Sequence, residues 1–260
     1  MKRIASFLLG IVCFSLSACY KPASKDLLDQ VKIRGELVIA MEGVWEPWNY
    51  HDEHGELVGF DVDVAKEICK RMGLKAKFLE FEWERVLPAL EKHECDIVVS
   101  GVEVTSDRRA NFYFSKPYAF EKTVLIVKKT TDDIKSFDDL RGRTSANSLN
   151  STYDNLAKQY GAIPIAVDTF DETINLLLEN RADSTINSIL VYYNYMKNNS
   201  NVPIKVAAES DNKCQIAIPC RRETENLSLM LEINKALDSM MADGTLSQLS
   251  MKYFEQDVTK

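Results

Sequence analysis

Gly59-Phe60-Asp61-Val62-Asp63-Val64-Ala65-Lys66-Glu67-Ile68-Cys69 decides how the rest of the chain is read. Val62, Ala65, Ile68, Cys69 and Met72 recur at helical spacing until Gly73 ends the run, and residues 57–60 form an extended lead-in. Upstream, Glu36–Met41 reads as a strand, preceded by a short helix over 25–33 that Gly35 stops. Downstream come a strand over 76–81, a helix over 85–92 and the apolar strand 95–100, Cys-Asp-Ile-Val-Val-Ser. Strand and helix alternating in this way imply a mostly parallel sheet flanked by helices. The rhythm then restarts: a strand over Thr123–Lys128, a short helix over Phe137–Leu140 ended near Gly142, and a helix over 151–160 ended by Gly161. A strand over 163–167, a helix over 171–179 and a strand over 182–186 follow. Two α/β units in 260 residues predict two lobes. Residues 227–253 read as helical, with Leu231, Leu237, Met240, Met241, Leu246 and Leu249 as apolar positions.

The first residues have a different character. Lys2 and Arg3 precede an apolar run over 4–16 that is short for a membrane span, and small residues follow. Residues 1–18 therefore read as an export signal. Leu16-Ser17-Ala18-Cys19 resembles a bacterial lipobox, which implies that Cys19 is lipidated and that residues 19–32 form a tether. The alternatives are an ordinary cleaved signal that happens to precede a cysteine, or a buried helix. Removing residues 1–18 takes Lys2 and Arg3 from the 32 basic side chains and none of the 39 acidic ones, leaving 30 against 39 and a charge of −9. That balance argues against a nucleic-acid partner, whose phosphates would be repelled. Of the remaining cysteines, Cys214 and Cys220 bracket a strand-like run too long for a bridge between them. A Cys69–Cys95 bridge and buried free thiols are both open. His51, His54 and His93 lack the neighbours of a metal site, and no cofactor is implied.

The opening stretch resembles the signature of the family of bacterial periplasmic solute-binding proteins that serve polar amino acid ABC transporters. The likeness continues through Leu87-Pro88-Ala89-Leu90, Asp96-Ile97-Val98-Val99-Ser100-Gly101 and Thr105-Ser106-Asp107-Arg108. It runs on through Phe114-Ser115-Lys116-Pro117-Tyr118, Leu140-Arg141-Gly142, Ala242-Asp243-Gly244-Thr245 and Lys252-Tyr253-Phe254. The resemblance implies a two-lobe fold, each lobe a mostly parallel sheet flanked by helices, joined by two hinge strands near 119–122 and 212–217. Lobe one is then residues 33–120 and 216–260, and lobe two residues 121–215. It also implies a monomer that closes on an amino acid between its lobes, is recognised by an ABC permease, and works in the periplasm on a lipid anchor.

The same resemblance nominates the ligand-binding residues. Arg108 would clamp the ligand's α-carboxylate, a task that suits a planar guanidinium. Ser100 and Gly101 would complete that cradle. Ser151 and Thr152 fall at a helix start, where they could meet an anion or cap the helix. Trp45 and Trp83 would sandwich the ligand's side chain, with Trp48 packed beneath. Glu42 would read that side chain. Two positions depart from the family's pattern: Glu103 stands where relatives usually carry Ser or Thr, and Ser188 where they usually carry Asp. Glu103 is expected to take over the ammonium contact from Ser188, because a buried ammonium without a counter-charge is costly. The resulting acidic, aromatic pocket suits lysine, arginine, histidine or glutamine. The chain is expected to be no enzyme, although some relatives are dehydratases of cyclic prephenate-like acids and Glu103 could act as an acid. A sensory receptor without transport is the other rival. With no kinase or second span after Phe254, a free-standing transport receptor is expected.

Overall fold

The chain, described here by a computed structural model, is defined over residues 26–260. The signal and Cys19 lie outside the described residues. Helix α1 (Leu27–Arg34) starts on Asp26, whose side chain accepts from the Asp29 amide, and stops where Gly35 takes a left-handed conformation. Strand β1 (Glu36–Met41) follows, then a small meander of β2 (Val44–Trp45), β3 (Asn49–His51) and β4 (Leu57–Val58). Helix α2 (Phe60–Met72), β5 (Lys75–Glu80), α3 (Trp83–Glu91) and β6 (Ile97–Val98) complete the first α/β unit. Strand β1 is central, paired in parallel with β5 and β6. Its alternation explains the layering. Leu37, Ile39 and Met41 pack with Val64 and Ile68 of α2, while Val38 and Ala40 pack with Val86 and Leu90 of α3.

Helix α4 (Ser106–Asn111), capped by Thr105, leads into β7 (Phe112–Phe114), β8 (Ala119–Glu121) and β9 (Thr123–Lys128). The second unit continues with β10 (Thr144–Asn147), α5 (Thr152–Gln159), β11 (Ile163–Ala166), α6 (Phe170–Leu178), β12 (Thr185–Ser188), α7 (Ile189–Asn198) and β13 (Ile204–Glu209). Strands β10 and β11 are parallel, Ser145 bridges in parallel to Ser184, and β9 runs antiparallel between β12 and β13. Here Leu125 and Val127 face Ile134, Leu140 and Ala157, while Val124 and Ile126 face the cluster holding Ile174 and Leu177 of α6. The chain passes between the two sheets along β8 and back along β14 (Cys214–Ile216), which pair antiparallel with Glu121 opposite Cys214. Strand β15 (Pro219–Arg221) then pairs with β7, and α8 (Leu227–Ala242) and α9 (Thr245–Phe254) pack on α2. This is the two-lobe α/β fold.

Several elements differ from expectation. Helix α2 begins at Phe60 because Gly59, at φ +129°, turns the chain directly under Trp48. The single helix expected over 227–253 is two, parted at Gly244 with φ +79°. Only Ile97–Val98 of the expected strand 95–100 is in regular strand pairing, because the backbone leaves the sheet toward Gly101. The strand expected over 182–186 lies instead at Thr185–Ser188. Residues 214–220 are two strands on different partners rather than one run. Cys69, Cys95, Cys214 and Cys220 are all free thiols. Cys69 belongs to the cluster under α2 and Cys95 to the cluster under α3, on opposite faces of the β1 sheet, which rules out a bridge.

Candidate functional site

A cleft, partly open to solvent, lies between the two units. Glu42, Trp45, Trp83, Gly101, Glu103 and Arg108 line it from one side, Ser151 and Thr152 from the other. Each is delivered by the end of a regular element. Glu42 directly follows β1, Trp45 closes β2, Trp83 opens α3, and Arg108 sits in the first turn of α4. Parallel strands converge their carboxyl ends on one edge, where connecting loops meet.

Arg108 is held without being neutralised. One guanidinium nitrogen donates to the Glu103 carbonyl at 3.0 Å, and the guanidinium carbon lies 5.3 Å from the Trp83 ring centroid. Among the described residues no carboxylate forms an ion pair with it, so most of its five donors stay available. Burial pulls its pKa below the usual arginine value, opposed by Glu103 and Tyr153. Across the cleft, the Ser151 hydroxyl accepts from the Asp154 amide at 3.0 Å and caps α5. The amides of the first turn point outward from such a helix start, where an anionic group is favoured.

The aromatic wall rests on bare backbone. A Cβ on Gly101 would lie 2.2 Å from Trp45 Cζ3, and Gly101 has φ +52°. Trp45 stacks on fully buried Trp48 with centroids 5.4 Å apart and planes 10° from parallel. Beneath them the buried Asp61 carboxylate accepts from Tyr118 Oη at 2.6 Å and Asn49 Nδ2 at 3.0 Å. Asn49 Oδ1 in turn accepts from the Gly43 amide at 2.8 Å. Ser100 belongs to this underlying network: its hydroxyl accepts from the Glu42 amide at 3.2 Å and does not line the cleft.

Acidic groups crowd the floor. Burial, reinforced by the Asp61 charge, pushes the Glu42 carboxyl up to about 8. Burial likewise raises Asp61 to about 7 against the hydrogen bonds it accepts. Ser188 lies outside the lining. It caps α7, accepting from the Leu190 amide at 3.1 Å, and its hydroxyl donates to Glu121. The cleft also takes in Val44, Ser148, Tyr153, Asp168, Thr169, Phe170, Thr173 and Asn187, which the sequence did not single out. Thr169 carries the one usable signal, since Thr169 and Glu172 form a capping box at the start of α6.

A two-lobe α/β chain with a lone arginine and aromatic walls in its cleft fits a class of receptors that enclose small charged molecules. The chain belongs to the bacterial extracellular solute-binding proteins, family 3, whose model matches residues 37–256. It is 36% identical over 236 residues to the L-cystine-binding protein TcyA of Bacillus subtilis (strain 168), covering 90% of this chain and 87% of that protein. It is similar to an ancestral arginine-binding protein bound to arginine, with TM-score 0.79 and 34% identity over 85% of this chain and 99% of that one. It is also similar to the L-cystine solute receptor of Neisseria gonorrhoeae in the unliganded open conformation, with TM-score 0.59 and 30% identity over 90% and 98% of the two chains. The family and these relatives are solute-binding proteins, and the chain is an amino-acid-binding protein of the kind that serves ABC transporters. Among the described residues no helix is long and apolar enough to cross a membrane.

Proposed function

We propose that this receptor takes up a polar amino acid carrying a basic, amide or second amino group outside the cytoplasm, and presents it to an ABC permease. The observation that carries the reading is Arg108, half-buried against Trp83 and in no ion pair among the described residues, in a cleft that also holds Glu42 and Glu103. An unpaired guanidinium supplies the anion site, and the acids supply cation sites for the ammonium and side chain. Arginine and cystine, named in the relatives' descriptions, both carry a carboxylate and more than one nitrogen centre and suit this arrangement. The chain is also nearer to the arginine-bound relative than to the unliganded open one, with TM-scores of 0.79 and 0.59. That supports closure of the lobes on the ligand.

Lobe one is assigned to residues 33–120 and 216–260 and lobe two to 121–215, with β8 and β14 as the hinge. The receptor acts as a monomer in the periplasm, held to the membrane through lipidated Cys19. Transport is favoured over sensing alone by the transporter-binding relatives, and a dehydratase is disfavoured because the family and these relatives are solute-binding proteins.

A thermal-shift screen of arginine, lysine, histidine, glutamine and cystine tests the reading. At least one raises the melting temperature, because a ligand that binds only the folded state stabilises it. No shift with any of them contradicts it. In the same protein Glu103→Gln is expected to weaken the best binder about 10- to 100-fold by isothermal titration, a loss of roughly 1.4–3 kcal/mol. Undiminished affinity removes Glu103 from the ammonium site.

A further inference from the structure

Glu121 is an acid that the cleft lining does not contain and that sequence reading did not single out. It ends β8, opposite Cys214 of β14, so it sits where the two crossing strands pair. It is 4% exposed. Its carboxylate is met by neutral donors: the Ser188 hydroxyl donates to Oε2, and Tyr153 Oη donates to Oε1 at 3.4 Å. Lys122 beside it is engaged elsewhere, with Glu209 at 3.2 Å. The charges that reach Glu121 are those of Glu103 and Asp61, both acidic. Tyr118 and Cys214 also face it, and neither is a cation at any pH. Tyr153 and Glu103, by contrast, line the cleft. Tyr153 thus links this buried acid to the ligand space, and the Glu103 charge reaches both.

A carboxylate in such a place is costly to ionise until a cation arrives. Burial pushes Glu121 up to about 8 despite the Ser188 and Tyr153 hydrogen bonds. At neutral pH the empty receptor therefore keeps a proton there, and in that form the Tyr153 hydroxyl accepts from the acid rather than donating to it.

We propose that Glu121 is a positioning residue for the ligand's ammonium group, held by Ser188 and Tyr153, which loses its proton to solvent when that group seats beside Tyr153 and Glu103. The balance is simple: the carboxylic O–H bond breaks, the proton goes to the buffer, and the new carboxylate offsets the incoming positive charge. Because Glu121 lies in a crossing strand and its partner Ser188 starts α7, the charge forms at the junction that must bend for closure. This rests on the proposed binding of an amino acid in the cleft. A merely structural buried acid would stay protonated throughout, and glutamine would replace it without consequence.

The test is isothermal titration with L-arginine and L-cystine in paired buffers of different ionisation enthalpy, from pH 6 to pH 8, on the wild-type protein and Glu121→Gln. Glutamine keeps the shape and polarity of the protonated acid, and an unchanged melting temperature confirms that the variant folds. The wild type is expected to release protons on binding at pH 7, and its affinity should rise by tenfold or more between pH 6 and pH 8, below the range where the ligand's own ammonium group titrates. Glu42 also holds a proton, so Glu121→Gln is expected to release about one proton fewer, not none, and to flatten the upper part of the pH profile. Equal proton release and equal pH profiles in the two proteins overturn the role of Glu121 while leaving the receptor reading intact. Absence of binding by both probes overturns the role of Glu121, and absence of a thermal shift with all five amino acids of the screen overturns the receptor reading as well.

Discussion

Arg108→Ala is expected to weaken amino-acid binding by about 30-fold or more while leaving the melting temperature of the free protein nearly unchanged. The asymmetry follows from what the side chain touches. Within the protein it makes one hydrogen bond, to the Glu103 carbonyl, and lies against Trp83. Removing it costs the fold little, because the exchanged group is a charge that burial already disfavours. Binding loses a charge-assisted, two-pronged contact and leaves a carboxylate buried without a partner, at a cost of about 2–5 kcal/mol. Each tenfold in affinity is about 1.4 kcal/mol, so the lower end already exceeds an order of magnitude. Arg108→Lys is not a rescue, since an ammonium cannot meet both carboxylate oxygens in one plane. Isothermal titration beside a melting curve separates the two effects. A large drop in melting temperature would mean that Arg108 supports the fold rather than the ligand.

The second large effect is on stability. Gly59→Ala is expected to cost about 3 kcal/mol or more, measured by urea denaturation of the free protein. A Cβ there would lie 2.3 Å from the Trp48 carbonyl oxygen, 2.7 Å from its carbon and 2.9 Å from Asn49 Cα. All three are backbone atoms and cannot swing aside. Two hydrogen bonds pin the same crossing, from the Phe60 amide to the Pro47 carbonyl at 3.0 Å and from the Asp61 amide to the Trp48 carbonyl at 2.8 Å. With φ at +129°, an L-residue is strained before the clash is counted. Damage should reach the cleft, because Asn49 and Asp61 both carry the floor beneath Trp45 and Ser100. Gly55→Ala is the control: φ is +77° but no atom lies within 4 Å of the added carbon, so only about 1 kcal/mol is expected. Equal losses at the two positions would show that left-handed backbone alone, not the close approach under Trp48, sets the cost.

The two glycines illustrate what a sequence conveys. Gly59 stood out as part of a patterned stretch, and the pattern of α2 was legible because its apolar positions face a single layer. Strand β9 was equally clear, with five buried residues in a row between two helical layers. Helix α7 was missed because Ile189, Val191, Tyr192, Tyr193 and Tyr195 favour strands by propensity, and only the Ser188 cap and packing against the second lobe make them helical. Strand β13 carries a register shift between Val206 and Ala208, which blurs any alternation.

The site divides in the same way. Arg108, Glu103, Trp45 and Trp83 were nominated by the family resemblance rather than by any local pattern, and all four line the cleft. Ser100 and Ser188, both named among the candidate ligand residues, do not line the cleft, since each hydroxyl is used by neighbouring backbone and side-chain groups. Phe170, Tyr153 and Asn187 enter the cleft only because the second lobe folds across from the first. Their importance depends on tertiary placement, which no local pattern encodes. Glu121 is the extreme case. A single acid at the end of a three-residue strand carries no signal until Ser188 and Tyr153 are brought to it by elements more than thirty residues away in sequence.

The central claim is that the Arg108 guanidinium meets a carboxylate enclosed in the cleft. Titrating the best-binding amino acid of the screen against its own carboxamide, with the same side chain and ammonium group, tests that claim most directly. Loss of measurable binding by the carboxamide is the predicted result. Equal affinity for the acid and its amide would contradict the account, since the cation in the cleft would then have no anion to hold.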